Sequence, residues 1–444
     1  MKGTKYYVSN SGNDDNDGLS PEKAWKTVEK VNGTKFKPGD GVYFERGGLW
    51  RTELICDKGV TYTAYGKGEK PRFYGSPENG AVPENWTLVD GTDNIWQYHL
   101  KMYDVGGIVI GSGERVAEKV APRMKNGTFF KIDSDEFFDY RKDLEEDLTF
   151  FCDIPKNDLK APDAQGYVNM RCDKGNPGEV FDDIEFITRS YAVYFPKADT
   201  VVDNLCAMYA QGGINGSRTV INATVQNCEV GYIGGNLQGY DVFSGTSGNP
   251  VRYGNGINFY GECDGYYVYN NYIHDVYDAG ISNQYAKGGT NAVRNDNIEY
   301  SGNIIERCNY GIEYFMGSAD AYVDRIMTNM HIHDNIIRDT GYGFGRKNPS
   351  AAAAIKGWDH NNHAEDFTIT NYIFCNSYAY LYHIGATYTQ WLPTFSNNVY
   401  IQKAGAIFGK YGRNPTEQFM FDPETSERIK EALNEDNAEF YYFE

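Results

Sequence analysis

The chain has 444 residues and a formal net charge of −19, from 42 basic and 61 acidic side chains. This negative balance disfavours nucleic acids and membranes as partners, because anionic surfaces attract basic patches. No apolar run approaches the roughly 18 residues of a transmembrane helix. The 49 glycines and the 15% aromatic content favour an all-β protein with many turns.

The first 40 residues predict an N-terminal cap. Ser20 followed by Pro21 is typical of a helix start, and Trp25, Val28 and Val31 supply an apolar stripe at helical spacing. We expect this helix to cover one end of a β structure whose core would otherwise be open, as solenoids require.

Cellular location is predicted from the N-terminus and from the cysteines. Residues 1–5 lead directly into a predicted strand, without the apolar stretch of a signal peptide. None of the eight cysteines has a CxxC or other metal-ligand spacing, so buried reduced thiols are expected, with no metal or other cofactor. A cytoplasmic protein is therefore predicted, although removal of a leader would make it a secreted one.

The middle of the chain divides into two parts. From 41 to 75 short strands alternate with turns, which predicts the first coils of a solenoid. From about 101 to 189 the pattern loosens, and we expect an insertion or subdomain packed on those coils.

A repeat is clear after residue 190. Its template is Asn, any residue, an aliphatic residue, five further residues, and then Gly or Ala. Copies begin at Asn271, Asn303, Asn335, Asn371 and Asn397. Repeats in fixed phase with variable insertions are typical of a solenoid. The asparagines should link neighbouring coils at a corner, and the aliphatic column should stack inside; it comprises Ile273, Ile305, Ile337, Ile373 and Val399.

These features resemble a known class of protein. The opening YYVSNSGNDDNDGLSP, together with the N-x-I-x(5)-G repeats, is similar to the right-handed parallel β-helix proteins of the pectin-lyase-like superfamily. Within it, the IHDVYDAGISNQ coil at 273–284 and the YGIEYF coil at 310–315 most resemble bacterial glycoside hydrolases. Those include β-xylosidases, α-L-fucosidases and lacto-N-biosidases, and they use a pair of acidic residues.

The predicted fold is therefore an all-β, right-handed parallel β-helix solenoid with an N-terminal capping helix and loop insertions. The expected boundaries are a cap at 1–40, a β-helix at 41–410 with the insertion at about 101–189, and a C-terminal helix and tail at 411–444. In the tail, Asp422 and Pro423 are expected to begin a helix that ends near Leu433.

Asp278 is the first candidate catalytic residue. The template aligns it with Tyr310, Tyr342, Tyr378 and Ala404 in later coils. A residue that departs from a regular column is expected at a functional site, although an aspartate can also satisfy turn amides. Asp275, three residues earlier, is a further candidate, for which the sequence favours a structural role.

Glu313 is the second candidate, because it follows an inward-facing Ile312 and should face outward. The template aligns it with Gly345, Leu381 and Ile407. Glycoside hydrolysis needs two carboxyls, about 5–5.5 Å apart for retention or about 6.5–9.5 Å apart for inversion. Along a straight strand the offset between Asp278 and Glu313 is about 13 Å, so pairing them requires a bend at Gly280 or Gly311.

Further side chains are predicted to contact a substrate. They are Gln284, Tyr314, His333, Arg346, Lys356, Trp358 and Asp359. Trp358 can stack on a sugar ring, and Asp359 with Asp366 is an alternative acid pair.

The predicted function is a glycoside hydrolase that cleaves oligosaccharides or glycoside ends. A polysaccharide lyase or epimerase is an alternative, with Lys356, Arg338 or Arg346 as the base or cation. A non-catalytic, tailspike-like glycan-binding protein is another. The oligomeric state is left open by the sequence.

Overall fold

Three long sheets run through the protein, and each coil of the chain contributes one strand to each sheet. The structure is a computed structural model that describes residues 3–154, 159, 161, 163–216, 218–240, 248–285, 293–316, 325–345, 351–357, 363–413 and 416–444. Neighbouring coils pair in parallel throughout the first two sheets and along most of the third. The predicted parallel β-helix is thereby confirmed.

The strands are as follows over the described residues. The first sheet consists of Lys5–Val8, Gly41–Glu45, Thr61–Tyr65, Val201–Asp203, Thr219–Gln226, Glu262–Tyr269, Val293–Ser301, Arg325–His333, His363–Thr370 and Thr394–Ser396. The second sheet consists of Leu49–Trp50, Arg72–Tyr74, Cys206–Met208, Glu229–Ile233, Tyr272–Val276, Ile304–Glu306, Ile336–Thr340, Ile373–Ser377, Val399–Lys403 and Glu439–Phe443. The solenoid part of the third sheet consists of Leu54–Ile55, Ile184–Phe195, Ala210–Gly216, Ile257–Tyr260, Ala279–Gln284, Tyr310–Phe315, Ala353–Gly357, Tyr380–Ala386, Ala406–Arg413 and Glu417–Phe421.

The third sheet continues beyond the solenoid into the segment where the repeat is lost. Val105–Ile110 pairs antiparallel with Ile184–Phe195. The sheet then proceeds through Arg115–Lys119, Thr149–Cys152, Gly166–Arg171, Ile95–Met102 and Trp86–Leu88. These strands enclose a hydrophobic core of their own. Two hairpins complete the strands: Arg123–Lys125 with Thr128–Phe130, and Asn236–Tyr240 with Pro250–Tyr253.

An asparagine ladder links the coils at the corner between the first and second sheets. Asn271 donates its backbone N–H to the side-chain oxygen of Asn303 (3.0 Å), and Asn303 does the same to Asn335 (2.9 Å). The next rung is Tyr372, whose hydroxyl accepts from the Asn335 amide (2.7 Å), and Asn398 follows. These buried amides satisfy backbone groups that the corner leaves unpaired.

The repeat template is wrong by one residue in the last two coils. Ile337 pairs with Phe374, which pairs with Tyr400, so these two buried aromatics continue the inner column. Ile373 faces outward and is exposed. A slip of one residue moves every side chain of a strand to the opposite face.

The helices are short. Pro21–Lys23 is a single 3₁₀ turn, and the α-helix begins later, at Val28–Asn32, with Thr27 as its N-cap. The C-terminal helix spans Ser426–Leu433, so its predicted end is correct but its start is four residues beyond Asp422. Short helices also occur at Tyr140–Asp143 and Pro177–Val180, with 3₁₀ turns at Pro83–Asn85, Gly111–Gly113 and Thr389–Trp391. Among the described residues, no helix is long and apolar enough to span a membrane.

Candidate functional site

A row of polar side chains crosses the outer face of the third sheet. Ser282, Glu313, Lys356 and His383 occupy equivalent positions on four neighbouring strands. The residue before each of them faces inward and belongs to the hydrophobic core, so the strand alternation directs these four outward. We call Ser282, Glu313, Lys356 and His383 the polar row. Neighbouring members lie one strand spacing apart, about 4.8 Å.

Glu313 is the carboxylate of the polar row. Its Oε2 accepts a hydrogen bond from the Gln284 amide, and the Ser282 hydroxyl lies 3.5 Å from the same oxygen. Both groups lie on the preceding coil, so a donor from a neighbouring strand fixes the orientation of the carboxyl.

Lys356 and His383 form the other half of the polar row. The Lys356 ammonium contacts Nδ1 of His383 and lies 3.5 Å from Nε2. The His383 ring lies against Tyr380, with ring centroids 5.2 Å apart. A cation and an imidazole therefore follow the carboxyl along the polar row, and a phenol from the same strand as the imidazole lies against it.

Three of the four members of the polar row, Ser282, Glu313 and Lys356, are buried although they face away from the solenoid core. Glu313 is 3% exposed and Lys356 is 2% exposed. Removing such groups from water costs several kcal/mol for each ion unless it is paired and hydrogen-bonded. Ionisable side chains held in this way are candidates for function, because their environment changes their chemistry.

Asp278 lies on the coil before Glu313 but at a different height along the strand. Ala279 pairs with Tyr310, and Ser282 pairs with Glu313, so Asp278 is four residues before the polar row. Its carbonyl accepts from the Tyr310 N–H (3.0 Å). A pairing of the two carboxyls would have to span this offset, which is about 13 Å along the strand.

Three predicted site residues lie elsewhere. Tyr314 points into the core, where its ring packs edge-on against Phe367 with centroids 5.1 Å apart. It therefore cannot line an outer groove, because alternation places it opposite to Glu313. His333 is on the first sheet, beside Glu299 (3.1 Å). Asp366 of the alternative pair is exposed on that sheet as well.

Asp275 belongs to an ion-pair cluster on the second sheet. Its carboxylate accepts from Nη2 of Arg307 (2.8 Å) and from Nδ1 of His274 (2.9 Å). Burial opposes the ionisation of Asp275, but these hydrogen bonds outweigh it and lower the pKa of the carboxyl. Such a carboxylate orients its partners and is poorly suited to attack a substrate or to donate a proton.

Arg346, Trp358 and Asp359 lie outside the described residues. Gln284 and Lys356 are therefore the two predicted substrate contacts that the structure brings next to Glu313. Within the described ranges, no group of three His, Cys, Asp or Glu side chains is placed to hold a metal ion.

The sequence template did not identify the neighbours of Glu313. It aligned Glu313 with Gly345, Leu381 and Ile407, whereas the strands align it with Lys356, His383 and Lys410. The template placed its Gly/Ala position at Gly343, but the third-sheet strand of this coil begins ten residues later, at Ala353. A usable signal is the recurring pair of an inward residue followed by a polar one: Ile281-Ser282, Ile312-Glu313, Ile355-Lys356 and Tyr382-His383.

Comparisons with known proteins add structural neighbours only. No family model and no curated protein sequence matches the chain. Among solved structures it is similar to XylC in complex with xylose, at 12% identity and a TM-score of 0.41, covering 93% of this chain and 76% of the other. It is also similar to the GH136 lacto-N-biosidase from Eubacterium ramulus, at 12% identity and a TM-score of 0.36, covering 99% and 68%.

A third neighbour, described only as a glycoside hydrolase, has 9% identity and a TM-score of 0.48, and the match covers 92% of this chain and 95% of that one. Identities of 9–12% and TM-scores below 0.5 carry no argument about activity. The fold is established by the strand pairing of the chain itself, and any activity has to be argued from the site.

Proposed function

We propose that this protein is a glycoside hydrolase that acts on oligosaccharides or glycoside ends through the polar row. The observation that carries the proposal is the carboxyl of Glu313, which faces outward yet is 3% exposed and is oriented by the Gln284 amide. Glycosidases protonate the departing oxygen with a carboxylic acid or attack with a carboxylate. The reaction class follows from the resemblance of coils 273–284 and 310–315 to β-helix glycosidases.

Asp278 is the proposed second carboxyl. Its offset of about 13 Å along the strand exceeds both the roughly 5–5.5 Å between the carboxyls of a retaining enzyme and the roughly 6.5–9.5 Å of an inverting one. The wider spacing of an inverting enzyme leaves room for a water molecule between the carboxyls. The inverting spacing is the nearer of the two to this offset, so if the two side chains reach towards each other we expect inversion, with one carboxyl protonating the leaving group and the other activating water.

A lyase is the second candidate, because of Lys356. Its ammonium is buried beside His383 on the strand next to Glu313. A lysine removed from water can serve as a base more readily than an exposed one. Such an enzyme would abstract a proton next to a uronate carboxyl and leave a product with a carbon–carbon double bond.

A substrate screen tests the proposal. The full-length protein is incubated with a panel of neutral aryl glycosides and oligosaccharides, alongside Glu313→Gln. We expect reducing sugar from at least one substrate, and a loss of about 10²–10⁴-fold in turnover for the variant, the range for removing a general acid or base. Circular dichroism and thermal unfolding establish that the variant is folded.

Glu299→Gln is the matched control. Glu299 is also an outward glutamate hydrogen-bonded by a neighbouring coil, but it is on the first sheet. Turnover in this variant should equal that of the wild type. Cleavage of no neutral substrate, or undiminished cleavage by Glu313→Gln, would refute the hydrolase. Ultraviolet-absorbing products that disappear in Lys356→Gln would establish the lyase instead.

A further inference from the structure

A second concave site lies on the outer face of the second sheet, away from the polar row. It is a pocket of about 520 Å³ whose lining includes Tyr74, Tyr209, Tyr232, Glu229 and His274. We call it the second-sheet pocket. Its volume is within the range of small-molecule sites, about 300–1,000 Å³. The side chains come from four successive coils, which the parallel pairing brings side by side.

His274 presents an unsatisfied ring nitrogen in this pocket. Its Nδ1 donates to the Asp275 carboxylate (2.9 Å), which fixes the ring. Nε2 has no hydrogen-bond partner among the described residues, and the side chain is 6% exposed. The nearest acidic oxygen, Oε1 of Glu229, is 3.8 Å away, beyond hydrogen-bond distance. A buried polar atom without a hydrogen-bond partner destabilises a protein by about 1–3 kcal/mol, and a ligand that hydrogen-bonds to the atom can recover this free energy.

Glu229 is the complementary acceptor. Its side chain is one-third exposed. The nearby His274, at 3.8 Å, lowers the pKa of this carboxyl, with burial opposing, and the carboxyl is ionised at neutral pH. When His274 is protonated, which the neighbouring carboxylates of Asp275 and Glu229 favour, a donor and an acceptor face the same space, slightly too far apart to satisfy each other. A hydroxyl group, which both donates and accepts, can bind to both.

Gly231 makes this arrangement possible. It lies beside His274 on the neighbouring strand, and a Cβ at this position would be 2.3 Å from the imidazole ring. Any larger side chain would displace the ring. The absence of a side chain at 231 therefore sets the position of Nε2 in the pocket.

Tyrosines form the apolar part of the pocket. The rings of Tyr209 and Tyr232 are stacked with centroids 5.8 Å apart, and Tyr74 meets Tyr209 edge-on at 4.7 Å. Aromatic faces beside a few convergent polar groups suit a ligand that has both C–H and O–H surfaces. The charged side chains of the lining are Lys70, Arg72, Arg307, Glu69 and Glu229. Arg72 is paired with Glu69, and Arg307 is paired with Asp275 and Glu306. Lys70 and Glu229 remain, so no excess of one charge selects an ionic ligand.

We propose that the second-sheet pocket binds a neutral pyranose, with one sugar hydroxyl bridging His274 Nε2 and Glu229 and a ring face on the tyrosines. This is a binding site separate from the polar row, and it does not depend on hydrolysis there. It would hold a free sugar or one residue of an oligosaccharide.

The first sheet supplies an internal control. His333 has the same neighbours as His274: its Nδ1 contacts Asp334 (2.6 Å), and a glutamate lies on the preceding coil. Here, however, Nε2 reaches Glu299 at 3.1 Å, so the trio is closed by its own hydrogen bond. The same three residue types therefore occur once as a closed ion-pair group and once open to a pocket.

The test is saturation-transfer NMR on the full-length chain with methyl β-D-glucopyranoside, methyl β-D-galactopyranoside and methyl β-D-xylopyranoside, each at millimolar concentration. Methyl β-D-glucuronide is the charged comparator. All proteins carry Glu313→Gln, which prevents turnover. We expect at least one neutral glycoside to bind, and affinity to fall at least about tenfold in Glu229→Gln and in His274→Gln, because each removes a hydrogen bond involving a charged group. Glu299→Gln should bind as the parent does.

Gly231→Ala provides a second test in case the polar variants misfold. It adds one methyl group, which should move only the His274 imidazole. Weaker binding in this variant, with unchanged thermal unfolding, supports the proposal. Three results would overturn it: no binding of any neutral glycoside, binding that Glu229→Gln and His274→Gln leave unchanged, or preference for the glucuronide. Binding that persists when Glu313→Gln is inactive separates this proposal from that of hydrolysis at the polar row.

Discussion

The outer faces of the second and third sheets hold their carboxylates in different settings. On the second sheet, Glu306 accepts from Tyr272 (2.5 Å), from Arg307 (2.5 Å) and from Arg338. These contacts outweigh burial and lower the pKa of the Glu306 carboxyl. On the third sheet, Glu313 is held by an amide and a hydroxyl from the preceding coil.

On the basis of this difference we propose a structural role for Glu306 and a chemical role for Glu313. A carboxylate surrounded by arginines is held as an anion and gives stability and orientation. The carboxyl of Glu313 accepts from a side-chain amide and has Lys356 and His383 on the next two strands, so it lies among groups that can take part in acid–base chemistry. The repeat supplies equivalent outward positions on each coil, and the residues of the adjacent coils decide which kind of site results.

The largest effect is expected for Asp278→Asn. If Asp278 is the second carboxyl, turnover on a cleaved glycoside falls by about 10²–10⁴-fold, while the fold is kept. Proton NMR of the first product anomer in the wild type should show inversion. Asp334→Asn, on the first sheet, is the control and should retain activity. Retention of configuration, or full activity of Asp278→Asn, would exclude Asp278 from this role.

Arg307→Met should reveal the structural character of the second-sheet acids. It leaves Asp275 and Glu306 without their shared guanidinium. We expect a loss of about 3 kcal/mol in the free energy of unfolding, the lower end for breaking a buried ion pair, since the arginine is one-third exposed. Arg141→Met removes a surface pair with Asp139 and should cost less than about 1 kcal/mol. Equal losses in urea unfolding would contradict the assignment.

Two glycines, one on the third sheet and one on the second, allow the rigidity of the two sites to be compared. At Gly357, beside Lys356, a Cβ would be 2.4 Å from the ring of Tyr314, which is locked in the core. Gly357→Ala should therefore cost about 1–3 kcal/mol of stability through overpacking. Gly231→Ala meets the His274 ring, which borders a pocket and can shift, so its cost should be smaller. Thermal unfolding of both variants measures the difference, and the reverse order would mean that the His274 ring is the more rigid.

The smallest effect is a pH dependence of stability at His274. Burial lowers the pKa of this imidazole, but the hydrogen bond to Asp275 and the nearby Glu229 carboxylate outweigh burial and raise it. The stabilisation is therefore complete below the unfolded-state pKa and is lost as the pH rises through the folded-state pKa. At the acidic end it is lost when Asp275 and Glu229, whose pKa values are lowered, become protonated.

Urea unfolding of the wild type and His274→Gln across this range measures the effect. The stability difference should be greatest in mildly acidic solution and should decline at higher pH, by about 1.4 kcal/mol for each unit by which the pKa is raised. Arg307, Glu306, Tyr232 and Tyr272 also face this group and are retained in both proteins. A difference that grows with pH would contradict the assigned ion pairs.

The sequence predicts the solenoid well because its inner columns are physically constrained. Ile273, Ile305 and Ile337 must stack inside, and the asparagines at 271 and 303 must bond to the next coil. The pattern fails where an aromatic residue replaces the expected type. Tyr372 takes the place of an asparagine in the ladder, and Phe374 takes the place of an aliphatic residue in the inner column. It also fails after an insertion, because counting along the chain cannot reveal where the next strand resumes.

The candidate sites were less predictable than the fold, because they join residues whose spacing along the chain includes insertions. Glu313 and Lys356 could each be selected from the sequence, but their adjacency depends on the register across the inserted segment. The second-sheet pocket joins Tyr74 with His274, 200 positions apart in the chain, and depends on the missing side chain of Gly231. No single motif contains these residues.

The most direct test of hydrolysis at the polar row is cleavage of a responsive oligosaccharide in ¹⁸O-labelled water, followed by mass spectrometry of the products. Hydrolysis by the wild type should place one labelled oxygen in the products for each bond broken, because water supplies the oxygen of the new hydroxyl. Glu313→Gln should yield no labelled product, and Glu299→Gln should match the wild type. An unlabelled, unsaturated product, or labelling that persists in Glu313→Gln, would contradict the account.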